Sequence, residues 1–122
     1  MELELDEILQ KGIEAHGAGQ VLEAERLFDQ ILRSQPDHPD ANHKMGKLAF
    51  GEHRVEEALA YFKIALIADP NEGEYWLNYI DALLELNKLD DAKAVFDQAR
   101  HRGASGEAFD LIGKRLSEPN VS

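Results

Sequence analysis

A repeat of 34 residues constrains this chain more than any other feature of it. Val55 to Pro70 reads VEEALAYFKIALIADP. Val21 to Pro36 reads VLEAERLFDQILRSQP, and Leu89 to Ala104 reads LDDAKAVFDQARHRGA. Ala24, Ala58 and Ala92 keep the 34-residue step, as do Phe28, Phe62 and Phe96, and Ile31, Ala65 and Ala99. The first two copies close on Pro36 and Pro70. A fixed period of this length means stacked helical hairpins, in which each unit buries its apolar face against its neighbours. The expected fold class is all-α.

The helices follow from apolar spacing and from the residues that interrupt it. Residues 3–17 place Leu5, Ile8, Leu9, Gly12 and Ile13 at helical spacing, and Gly17-Ala18-Gly19 breaks the run. Val21 to Arg33 carries the stripe Ala24, Leu27, Phe28, Ile31 and Leu32, which Pro36 ends. Pro39 suits the first turn of a helix that runs to about Phe50, because its missing N–H has no helical partner there. Helices are expected over 55–68, 73–86 and 89–102, the last closed by Gly103. Asn71 and Glu74 have the spacing of a capping box. Ser105 is expected to cap a final helix to about Leu116, which buries Ala108, Leu111 and Ile112 with Phe109 beside them. This helix would cover the open end of the array, with a loose tail over 117–122. No linker composition interrupts the chain, so a single domain is expected.

These residues resemble the tetratricopeptide repeat, a 34-residue helix–turn–helix. With repeats at 5–38, 39–72 and 73–104, Trp76 falls at the family's bulky position 4 and Gly12 and Gly46 at its small position 8. The three alanines fall at position 20, the three phenylalanines at 24, Ala65 and Ala99 at 27, and the two prolines at 32. The resemblance implies three hairpins in a right-handed superhelical stack, plus the C-terminal capping helix. Five residues depart from the pattern. Ile31 replaces a small residue, and Asn42 leaves position 4 weakly filled. Ile80 replaces the glycine and implies a splayed third hairpin. Ala104 replaces the last proline, and Lys11 sits at a usually apolar place.

Composition narrows the function. Lysine and arginine number 13 against 24 acids, a net charge of −11, and the first 36 residues alone carry −5. Such a field repels nucleic acid and anionic membrane surfaces and favours basic or neutral peptides. There are no cysteines, so disulfides, zinc–thiolate sites and a cysteine nucleophile are excluded. The acidic start MELELDE is unlike a signal sequence, and no apolar run is long enough to span a bilayer, so a cytoplasmic location is expected. The five histidines, His16, His38, His43, His53 and His101, form no HExxH, and neither GxSxG nor a P-loop occurs. The chain is read as non-catalytic and without a cofactor.

In the family the first helix of each repeat lines a concave groove. By that register the groove would carry Asp6, Leu9, Ile13 and His16, then Asp40, His43, Lys47 and Phe50. The third repeat would add Glu74, Leu77, Asp81 and Leu84, with Asn78 nearby. The strongest candidates for peptide contact are Leu9, Ile13, His43, Lys47, Phe50, Glu74, Leu77, Asn78, Asp81 and Leu84. The expected partner is a protein segment with apolar anchors and a Lys or Arg. Family members that grip the carboxylate of chaperone tails place basic and amide residues where this chain has Leu9, Ile13, Lys44, Glu74 and Asn78, so no such grip is expected. Two alternatives stand beside the binding module. One is an adaptor region of a larger enzyme, such as a glycosyltransferase or sulfotransferase. The other is a self-assembling protein with Leu3 and Leu5 as apolar handles.

Overall fold

Small residues at the repeat step let paired helices touch, and a phenylalanine from the second helix of each pair fills the contact. The computed structural model describes residues 4–118, and the expectations for Leu3 and most of the tail lie outside them. The elements are α1 (Leu5–Gly17), α2 (Val21–Ser34), α3 (Pro39–Gly51), α4 (Val55–Ala68), α5 (Gly73–Glu85), α6 (Leu89–His101) and α7 (Glu107–Ser117). Among the described residues there is no strand. Helices α1 to α6 form three hairpins stacked as a right-handed superhelix, and α7 closes the end. The first helices α1, α3 and α5 also touch one another in order, whereas the second helices stand further apart. The stack therefore has an inner face of first helices and an outer face of second helices.

Ala24, Ala58 and Ala92 are wholly buried, and Phe28 and Phe62 lie against the glycines of their own hairpins. A methyl group added at Gly12 would lie 2.5 Å from Phe28 Cε1, and one at Gly46 would collide with Phe62 in the same way. Burial of each ring contributes roughly 1.5–3 kcal/mol. The third hairpin differs as its sequence implies. Ile80, fully buried, occupies the place of the glycine, and the α5 and α6 backbones approach each other less closely than those of the other hairpins. Phe96 turns instead towards α7. An added methyl at Gly113 would lie 3.0 Å from its Cζ, and the Phe109 ring stands 6.3 Å from it.

Other departures are accommodated. Ile31 is fully buried in the N-terminal cluster with Ala41 and Met45, and Lys11 is exposed. Asn42 does not leave its site empty. It is buried, and its Nδ2 donates to Pro36 O at 3.0 Å and His38 O at 2.9 Å. Trp76, one repeat later, donates from Nε1 to Pro70 O at 2.8 Å. Both residues satisfy the proline carbonyl between hairpins, by different chemistry at the same register. Leu5 is half-buried against the N-terminal cluster, so it is not an exposed handle.

The turns also repeat. Gly19, His53 and Asn87 sit at successive 34-residue steps and all have positive φ (78°, 63° and 59°). In each case the next N–H reaches back to the first helix: Gln20 to Ala15 O, Arg54 to Ala49 O and Lys88 to Leu83 O, at 2.8–2.9 Å. This left-handed close satisfies carbonyls that a helix end leaves unpaired. Gly103 does the same after α6.

Three local expectations need correction. The Asn71–Glu74 box does not form, because α5 begins at Gly73 and Asn71 N instead donates to Asp69 Oδ1 at 3.2 Å. Gly106, at φ 120°, rather than Ser105, precedes α7, because the bend requires a conformation that disfavours side chains. The buried face of α7 is Phe109, Ile112 and Leu116, while Ala108 and Leu111 face outward.

Gly46→Ala is expected to cost about 1–3 kcal/mol of unfolding free energy by overpacking against Phe62. Gly17→Ala, with nothing within 4 Å of the new methyl, is expected to cost nothing. His53→Gly relieves a left-handed backbone and is expected to add roughly 0.5–1 kcal/mol. Urea titration followed by circular dichroism measures all three.

Candidate functional site

The inner face is organised where α3 meets α5. The 34-residue period places equivalent residues of the two helices side by side, so polar groups about one repeat apart come within bonding distance. His43 Nε2 donates to Asn78 Oδ1 at 2.5 Å, and Tyr75 Oη donates to Asp40 Oδ1 at 3.1 Å. Lys47 Nζ lies 3.6 Å from Glu74 Oε1, both groups partly in solvent, where such a pair contributes little stability. The His43 ring stands 4.7 Å from the Tyr75 ring and 6.0 Å from that of Phe62.

His43 is 1% exposed. Burial lowers its pKa below the ordinary imidazole value, opposed by the bond to Asn78 and the nearby Glu74. It lies beneath the inner face, and its ring holds the Asn78 side chain through this bond. Burial also raises the pKa of Tyr75, helped by Asp40, so this phenol stays protonated as a donor. The sequence reading did not single out Tyr75. Its signal is the 35-residue separation from Asp40, the same as that of His43 from Asn78.

Beside this network is a small opening of about 170 Å³, lined by Lys47, Phe50, Gly51, Phe62, Asn78 and Asp81. Phe50 is half-buried against the central cluster of Ala49, Ala58 and Phe62. Asp81 is half-buried, and burial raises its carboxyl pKa, opposed by Arg115. It has no ion pair among the described residues. The structure thus brings His43, Lys47, Glu74 and Asn78 into contact and sets Phe50 and Asp81 beside them. Leu9 and Ile13 are half-buried against the N-terminal cluster, and Leu77 and Leu84 against the C-terminal one. None of these four lines the opening. Among the described residues no group of three His, Asp or Glu side chains forms a metal cage, and no helix is long and apolar enough to cross a membrane.

A buried neutral imidazole has a defined pH signature. The folded chain binds fewer protons at His43 than the unfolded chain does, so this contribution is complete above the unfolded value of about 6.5 and is lost as pH falls from there towards the depressed folded value. The stability advantage of wild type over His43→Gln is expected to shrink between about pH 7 and pH 5. Denaturant titrations of both proteins across that range check it, and a constant difference would remove the buried neutral ring.

Comparison with known proteins places the architecture. A family model described as Tetratricopeptide repeat matches residues 43–108. The first TPR of Spaghetti (RPAP3), solved with an HSP90 peptide, superposes with a TM-score of 0.82 at 15% identity, over 93% of this chain and 90% of that one. The TPR2B domain of yeast Sti1, in complex with an Hsp70 peptide, gives 0.81 at 18% identity, over 93% and 95%. A Thermobaculum terrenum O-GlcNAc transferase gives 0.71 at 24% identity over 81% of this chain, which spans one fifth (20%) of that enzyme's length. At these identities the likeness is one of fold. A search of curated proteins gave no significant match.

Proposed function

The chain belongs to the tetratricopeptide-repeat family, and we propose that it is a non-catalytic interaction module whose inner face takes up a peptide segment of another protein. The observation that most supports this is the opening between α3 and α5, where the half-buried Asp81 carboxylate has no ion-pair partner among the described residues and stands beside the Phe50 and Phe62 rings. A Lys or Arg inserted there would lay its aliphatic stem along Phe50 and bring its charge to Asp81. That would offset the burial cost that raises this carboxyl. Leu9 and Ile13 on one side and Leu77 and Leu84 on the other would receive apolar anchors. Three repeats offer a short groove, so a modest affinity is expected.

The same chemistry argues against an acidic chain end. Glu74 lies exposed on this face, and Leu9 and Ile13 offer no donors to a carboxylate. The peptide SRMEEVD, which the Spaghetti domain holds, is therefore expected not to bind here. A second reading makes the array an adaptor attached to a larger enzyme. It is favoured by the fit of this chain to one fifth of the O-GlcNAc transferase, and it leaves the groove chemistry unchanged.

Two end-blocked twelve-residue peptides test the groove. Both carry leucines at helical spacing and glutamines at most polar positions, one with three lysines among them and the other with three glutamates. The lysine peptide is expected to bind, and Phe50→Ala with Asp81→Asn is expected to weaken it at least tenfold in a fluorescence-anisotropy titration while circular dichroism stays unchanged. Equal binding to a folded double variant would overturn the groove. Micromolar binding of SRMEEVD that Phe50→Ala weakens, and that is therefore seated in this groove, would overturn the charge assignment.

A further inference from the structure

A second opening lies on the outer face, between α4 and α6, and owes nothing to the inner groove. It arises from one substitution in the repeat. Tyr61 on α4 packs against the N-terminal cluster that holds Ile31 and Met45, in the interval between α2 and α4. One repeat later the equivalent residue on α6 is Val95, half-buried and without a ring to reach from α6 towards α4. The space left is a trough of about 800 Å³. Its floor includes Trp76 and Tyr79, and Val95 and Ile67 form part of its walls. Ile67 is 71% exposed, an apolar side chain held in water at the edge of an apolar depression. The trough adjoins a smaller hollow of about 230 Å³, and Pro70, Trp76 and Arg102 line both.

The charge at this trough differs in sign from the rest of the molecule. Lys63 and Arg102 line it, with His101 beside them, against the single carboxylate of Asp97. Neither Lys63 nor Arg102 has an ion pair among the described residues. In a chain of net charge −11, these unpaired cations beside an aromatic floor form a local basic site.

We propose that the trough is a second docking site, which takes an acidic, apolar segment of a partner protein. Apolar side chains of the segment cover Trp76, Tyr79, Val95 and Ile67, and its carboxylates face Lys63 and Arg102. The long-range field of the chain disfavours the alternatives: nucleic acid and anionic lipid carry dense negative charge, and a second copy of this chain carries −11 itself. A short segment with two or three carboxylates meets the local cations without a large repulsive charge of its own. The two faces then select partners of opposite charge.

The repeat itself supplies the test. Val95→Tyr restores the residue found at the equivalent place on α4 and is expected to fill the trough and keep the fold, which thermal unfolding verifies. The glutamate peptide described above is expected to bind wild type, to lose at least tenfold in affinity with Val95→Tyr and with Lys63→Glu/Arg102→Glu, and to bind Phe50→Ala/Asp81→Asn as wild type does. The lysine peptide is expected to keep its affinity for Val95→Tyr, so failure at one face is distinguishable from failure at the other. Should Val95→Tyr not fold, the surface charge variant alone decides. The proposal is overturned if the glutamate peptide fails to bind wild type, or binds the trough variants as well as wild type. It is also overturned if sedimentation shows a dimer that Val95→Tyr dissolves while neither peptide binds, which would make the occupant a second copy.

Discussion

The stack depends on one kind of contact, a phenylalanine ring laid on a helix that has no side chain to hold it off. Gly12 with Phe28 and Gly46 with Phe62 bring the backbones of a hairpin together, and the buried alanines of the second helices complete the approach. Close packing at native density makes such a contact intolerant of a single added methyl. The third hairpin relaxes the rule. With Ile80 in the glycine position its helices stand further apart, and Phe96 finds its small neighbour on α7, at Gly113. The last helix is therefore more than a cover for an open end. It provides the packing partner that α5 withholds.

The two faces differ in what fills them. On the inner face the first helices are close enough for side chains to bond across hairpins, and polar residues are held in defined directions. On the outer face the second helices diverge, and each interval must be filled by a bulky side chain or left open. Tyr61 fills the first interval and Val95 leaves the second. The same curvature thus produces a structured polar surface on one side and an apolar depression on the other.

Much of this fold was legible in the sequence, because the period states every packing position three times. Ala24, Ala58 and Ala92 fix the hairpins without reference to any other residue, and the helix limits follow from glycines and prolines to within a few residues. Two of the errors lie in the last helix, of which only one copy exists. The last helix has apolar residues on two faces, and nothing in one copy decides between Leu111 and Leu116. Asn42 was misjudged by size, since its role is to donate to a proline carbonyl, a role that Trp76 performs with a quite different side chain. The candidate site was legible as a face but not as a depth. The register of the resembled family places His43 on the inner side of its helix. That it lies beneath the surface follows from its neighbours Tyr75 and Phe62, which belong to other helices.

The bonds between α3 and α5 also divide the molecule mechanically. The second and third hairpins are joined by two directional hydrogen bonds, His43 to Asn78 and Tyr75 to Asp40, both at least partly buried. Between α1 and α3 the described side chains make no hydrogen bond, and the junction rests on apolar contacts of Ile8, Ala41 and Met45 and their neighbours. Apolar burial has no preferred direction, whereas a hydrogen bond weakens steeply when its geometry is bent. Sliding or tilting is therefore cheaper at the first junction than at the second. The inner helix of the third hairpin is thus held on that of the second by direction, and the inner helix of the first by shape.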